Sequence, residues 1–306
     1  MRCVLLACLA ALALAAAACG EEDTDQLVER VRERAEEAVG ADDLRRRVDE
    51  LKNDAERLRD QARAAGDELG RRVRQILEDI EQAVPESSLP APTAQGRTES
   101  SEIAAFLTES LDSVDRYWTQ TLAQSGLPEP RVFYSWISPG GAVATGCRTV
   151  ADDRAAFFCP ADDTIYIAEQ LASDLYQGIA DDFPGERAGA GNAIGDFGLA
   201  YVVAHEYAHN VQFELGFYEL QDPRNGVKAF ELQADCMAGL WGNAVYRAGQ
   251  YDDRDVEEAI STAQAAGDFD YGNAQHHGTP DERRAAWLAG FESGQPAVCR
   301  QFVPGT

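Results

Sequence analysis

The sequence predicts an α+β fold: a compact, mostly helical domain with a small sheet, preceded by a charged helical stalk. Three observations carry this. All four Trp, ten Tyr and twelve Phe of the 306-residue chain lie after residue 100. Within 101–306, apolar residues recur at helical spacing in six segments, while only two short runs read as strands. Before residue 85 the charges are dense and the apolar positions follow a heptad, which builds long helices but no core.

Residues 1–19 read as a lipoprotein-type signal peptide. Arg2 is a minimal positive start, and Val4 to Ala18 is apolar or small apart from Cys8, too short to span a bilayer. The run ends Ala16-Ala17-Ala18-Cys19, small residues directly before a Cys, which resembles a lipobox. The expectation is export and a lipid anchor at Cys19 on the extracytoplasmic face of the cell membrane. Cleavage near Ala18 and plain secretion is the alternative. Residues 20–84 form the stalk. Leu44, Val48, Leu51, Ala55, Leu58, Ala62, Ala65 and Leu69 step by four and three, and Val73, Ile76 and Ile80 continue after a stutter. A solvated spacer is the expected state, and a coiled coil that joins copies into an oligomer is the second. Residues 85–100 are a Pro- and Ser-rich linker.

The domain follows at 101–306. Ile103, Phe106, Leu107, Leu111, Val114 and Trp118 mark an amphipathic helix. Arg131–Ser138 and Thr164–Ala168 read as strands, and Leu171–Phe183 as a helix. Gly195–Leu215, Val227–Arg247 and Asp253–Ala265 are further helices. Thr279-Pro280-Asp281-Glu282 opens the last, with Thr as N-cap, Pro at N1 and Glu at N3. The net charge of the chain is −26 and its pI about 4.4. That excludes nucleic acid as a partner, since phosphates call for Lys and Arg.

Only four His are present, and two stand in His205-Glu206-Tyr207-Ala208-His209. Spacing i, i+4 puts both imidazoles on one helix face, where they can converge on one ion, with Glu206 beside them to hold a water. This is the H-E-x-x-H pattern of zinc-dependent hydrolases. A third ligand is needed, and Glu231 on the next helix is the candidate. Asp235, one turn on, can take the second N–H of a ligating His. Two surface acids in an acidic chain is the plainer reading of that pair. His277 and His276 are candidate donors to a developing oxyanion.

Gly195-Asp196-Phe197, His205–Gln212 (HEYAHNVQ), Glu231–Trp241 (ELQADCMAGLW) and His277–Phe291 (HGTPDERRAAWLAGF) together resemble the bacterial neutral zinc metallopeptidase family, from about Asp112 to Phe302. The resemblance implies a zincin-like domain holding one Zn2+ through His205, His209 and Glu231, with Glu206 as the catalytic carboxylate, acting on a peptide or protein substrate. His277 lies in the family-like HGT run. The family usually has Gly and His where this chain has Ala208 and Asn210. Cys147, Cys159, Cys236 and Cys299 remain once the signal and Cys19 are set aside, and an even number in an exported chain points to two disulfides. The expected pairs are Cys147–Cys159, closing a short strand-rich loop, and Cys236–Cys299, tying the ligand-bearing helix to the C-terminal segment. The expected function is an exported zinc-dependent peptidase. The alternatives are a non-catalytic envelope lipoprotein with a structural metal or a partner-binding role, and a metal-dependent hydrolase of another bond.

Overall fold

A computed structural model describes residues 100–180, 183–220 and 226–303. The expected signal 1–19 with Cys19, the stalk 20–84 and the linker lie outside the described residues, except Ser100, which opens the first helix. Helix α1 (Ser100–Gln124) buries Ile103, Phe106, Leu107, Leu111, Val114 and Trp118 on one face, as their spacing dictates. The sheet follows, with β1 (Phe133–Ile137), the small hairpin β2 (Val143–Ala144) and β3 (Val150–Ala151), then β4 (Ala156–Cys159) and β5 (Thr164–Ala168). Its three main strands lie in the order β1-β5-β4. β1 runs parallel to β5, and β4 is an antiparallel edge strand. The fold is thus α+β, helical in the main, with a small mixed sheet.

Two expectations are corrected here. The pair of strands becomes five, because β4 and the hairpin are too short to show alternation in sequence. The helix expected to reach Phe183 is α2 (Glu169–Gln177), stopped by Gly178 at φ 67°, whose left-handed conformation closes the last turn. A single helical turn, α3 (Pro184–Arg187), follows.

Helix α4 (Asp196–Glu214) is buried nearly all round. A 3-10 turn (Phe217–Leu220) leads on to α5 (Lys228–Arg247), α6 (Asp253–Ala265) and α7 (Pro280–Ser293), and a 3-10 segment (Pro296–Phe302) ends the described chain. Helices α6 and α7 both start in capping boxes, Asp252 with Asp255 and Thr279 with Glu282. α5 and α7 cross at backbone contact. A Cβ on Gly290 would stand 1.9 Å from the Cys236 carbonyl oxygen, and one on Gly239 2.1 Å from that of Trp287, so only glycine permits the crossing. The Cys147–Cys159 and Cys236–Cys299 disulfides are both formed, the first beside the sheet and the second joining α5 to the last 3-10 segment.

Helix α4 is pinned to its surroundings by polar contacts. Tyr207 donates to Asp115 of α1 at 2.7 Å. Asn210, fully buried, donates to the Arg131 carbonyl and to Asp163, each at 2.8 Å. The Asn at this position therefore fastens the helix to the ends of β1 and β5. Among the described residues no helix is long and apolar enough to cross a membrane.

Candidate metal centre

His205, Glu206 and His209 lie in the middle of α4, each less than a tenth exposed. Glu231 comes from the first turn of α5. One ligand atom from each of His205, His209 and Glu231 lies within 4.8 Å of the others. His205 Nε2 is 3.2 Å from one Glu231 oxygen, and His209 Nε2 is 3.4 Å from the other. Two ligands bound to one zinc at about 2.0–2.1 Å in tetrahedral geometry stand about 3.3 Å apart, so the spacing fits.

The partners of the two rings hold both Nδ1 atoms and aim both Nε2 atoms at Glu231. Asp235 Oδ1 sits 2.9 Å from His205 Nδ1. Gln212 Oε1 sits 2.8 Å from His209 Nδ1, and the Gln212 amide nitrogen donates to the Phe230 carbonyl and to Gln233, which fixes which end of the amide faces the ring. Both acceptors can take a hydrogen bond from Nδ1–H, which leaves each Nε2, turned toward Glu231, as the position where an ion could stand in place of a proton. Two nitrogens and a carboxylate form the donor set that suits zinc.

Asp235 is completely buried and takes four hydrogen bonds. Besides the one from His205, Tyr201 Oη donates at 2.6 Å, and Arg283 of α7 donates through Nε at 2.8 Å and a terminal nitrogen at 2.9 Å. Burial alone would raise the Asp235 carboxyl, but Arg283 and His205 bring it below its usual range. Burial likewise works against a charge on His205, yet Asp235 and Glu231 outweigh it and leave its pKa at about 9 in the metal-free protein. Glu231 is held well below the usual carboxylate range, since His209 and His205 more than offset its burial. The centre thus favours positive charge, which a proton or an ion can supply.

Glu206 stands apart from the ligand set. Its Oε2 accepts the Phe158 N–H of β4 at 2.9 Å, and its Oε1 has no partner among the described residues. In the β4–β5 ladder the bond from Ala168 to Ala155 sets the alternation, so Ala156 and Phe158 turn their backbone groups to the open edge of the sheet. His277 borders the same cavity with its side chain about half exposed, while His276 is buried against Asp268 with Nδ1 2.5 Å from Oδ1. Tyr218 borders the cavity too. Burial, then the charges of Glu231 and Glu206, push its phenol up, so it stays protonated and able to donate. Gln212, Tyr201, Arg283, Tyr218 and the Phe158 amide were not among the sequence candidates. Of these only Gln212 left a signal, an amide three residues after a ligating His on the same helix face.

A buried helix carrying H-E-x-x-H, facing a Glu on the next helix, forms a group that could hold a metal ion. The chain belongs to the family described as "Putative neutral zinc metallopeptidase", whose model matches residues 63–302. The match begins upstream of Asp112, where the resemblance starts, and takes in part of the residues expected as stalk and linker. Similar proteins include the uncharacterized protein YpfJ of Escherichia coli (strain K12), 32% identical over 222 residues, which are 66% of this chain and 72% of YpfJ. The uncharacterized protein Rv2575 of Mycobacterium tuberculosis (strain H37Rv) is 31% identical over 215 residues, 62% of this chain and 68% of that protein. No solved structure matches the chain.

Proposed function

We propose that this chain is an exported zinc-dependent peptidase that hydrolyses peptide bonds with Glu206 as general base, His205, His209 and Glu231 holding one zinc ion. The observation that carries the reading is the convergence of both Nε2 atoms on Glu231, with each Nδ1 held from behind by an acceptor. Zinc, when bound, supplies Lewis-acid activation of water and of the scissile carbonyl. Glu206 Oε1 takes the proton of the attacking water and passes it to the leaving amine, while the Phe158 N–H steadies the other carboxylate oxygen. His277 and Tyr218 are the donors at the cavity that can meet the developing oxyanion. Outside the described residues, Cys19 is the proposed lipid anchor to the extracytoplasmic face, and the 20–84 stalk holds the domain off the membrane, alone or as an oligomer.

The test is zinc stoichiometry read against chelator-sensitive peptide hydrolysis. Glu206→Gln keeps its zinc and loses hydrolysis by roughly 100-fold or more, the scale of a lost general base. Hydrolysis at the wild-type rate in that variant rejects the mechanism. Zinc binding by a wild type that cleaves nothing in a broad peptide library favours the non-catalytic lipoprotein instead. Cys19→Ser moves the protein from the membrane fraction to the soluble one, and a variant that stays with the membrane places the anchor elsewhere.

A further inference from the structure

The face of α4 that carries the metal ligands does not stop at them. Leu199, Val202, His205, Glu206 and His209 all border one cavity of about 430 Å3. Their i, i+3, i+4 steps place them in a row along one side of the helix. The row is apolar in its first half and ligating in its second. Val202 stands four residues before Glu206, about 6 Å along the helix axis, and Leu199 about 10 Å. The facing wall comes from Leu171 and Leu175 of α2 and Ile167 of β5. Leu175 and Leu199 are 1% exposed, Val202 and Leu171 are half-buried, and all four border the cavity.

The charged side chains that border the cavity come from α4, α5 and α7 and the segment before α7, and none from the sheet, α2 or α3. Arg283 is spent, with its donors on Asp235, Tyr201 and the Ala266 carbonyl. An acidic or basic side chain in the apolar half would lose water and find no partner. A residue next to the scissile bond sits one 3.4 Å step along an extended peptide, so its side chain reaches the distance at which Val202 begins the apolar half. The outward backbone groups of Ala156 and the Phe158 carbonyl, both residues at the cavity, offer hydrogen bonds to a peptide laid alongside, while the Phe158 N–H stays on Glu206.

We infer that this cavity selects peptides with a large apolar side chain, of Leu, Met or Phe size, on one residue flanking the scissile bond. The inference rests on the peptidase reading above. Burying such a side chain against Leu171, Leu175, Leu199 and Val202 favours it over Gly by roughly 10- to 100-fold in kcat/KM, and over Asp or Lys by more.

The experiment is a cleavage map of the zinc-loaded full chain on a peptide library randomised around one bond, read by mass spectrometry with zinc content measured in parallel. The expected result is an apolar preference confined to one flanking position. Val202→Phe fills the cavity one turn from the ligands and shifts that preference to Ala and Ser at unchanged zinc content. Leu171→Ala widens it from the other wall and shifts the preference toward Phe and Trp, which covers a Val202→Phe protein that does not fold. Affinity of the zinc-loaded Glu206→Gln protein for uncleaved peptides follows the same order. Cleavage with no apolar preference at either flanking position, or a preference that neither variant moves, overturns the inference and leaves the peptidase reading standing. No cleavage of any peptide overturns both.

Discussion

Replacing Asp235 by Asn tests the buried network behind the metal centre. Asn matches Asp in shape but has one acceptor where Asp has two, and no charge. Asp235 is wholly buried and receives two bonds from Arg283, one from Tyr201 and one from His205. In Asp235→Asn the new amide faces a donor whichever way it turns, and Arg283, only 4% exposed, loses its counter-charge. Removing one partner of a buried pair costs about 3–5 kcal/mol, a large part of the 5–15 kcal/mol that holds a domain folded. His205 also loses the anion that fixes its tautomer, which weakens zinc binding by roughly 10- to 100-fold, or about 1.4–2.7 kcal/mol. Urea unfolding of the metal-free and zinc-saturated full chain reads the first effect, and titration against a competing chelator reads the second. The midpoint falls in both forms, and it falls further with zinc, since the linkage contribution shrinks with affinity. Adding Arg283→Gln removes the stranded charge and recovers part of the stability, but none of the zinc affinity. If Asp235→Asn unfolds within about 0.5 kcal/mol of wild type, Arg283 does not depend on Asp235 and the network has been misread.

Two further outcomes follow from other residues. Gln212→Leu removes the acceptor for His209 Nδ1–H, so zinc affinity falls roughly 10- to 100-fold while Glu206 stays in place; a chelator titration that matches wild type rejects that role. Glu258 of α6 accepts the Phe197 N–H at the start of α4, and its pKa is raised to about 7, first by burial and then by the neighbouring Asp196. Because the folded-state value lies above the unfolded one, its contribution to stability is full below about pH 4.5 and is lost as pH rises through 7. Glu258→Gln therefore flattens the fall in urea midpoint between pH 5 and pH 8, and an unchanged slope refutes the assignment.

How far the sequence reveals this site depends on whether each interaction is local. The two His at i, i+4 and the Thr279–Glu282 capping box are one-turn relations, and both stand in the structure as the spacing predicts. Helix α6 was legible to the residue for the same reason, with a polar cap ahead of an apolar stripe. β4 was not, because four residues, AFFC, show no period and the strand exists by pairing with β5. That omission hid the amide that holds Glu206. Arg283 sits in Asp281-Glu282-Arg283-Arg284, a run that reads as exposed, and only the close α5–α7 crossing takes it inside to Asp235. The α2 boundary was overrun because a lone Gly inside an apolar pattern is ambiguous until its φ is known.

The crossing of α5 and α7 also makes the H-E-x-x-H face depend on the far end of the domain. The two histidines and Glu231 come before Arg283 and Cys299 in the chain, and these two tie α5 down from the later side through Asp235 and Cys236. Without α7 and the last 3-10 segment, Asp235 would lack the guanidinium that neutralises it and α5 would lack its tether. A chain cut short before α7 would keep the H-E-x-x-H motif and lose the support behind His205.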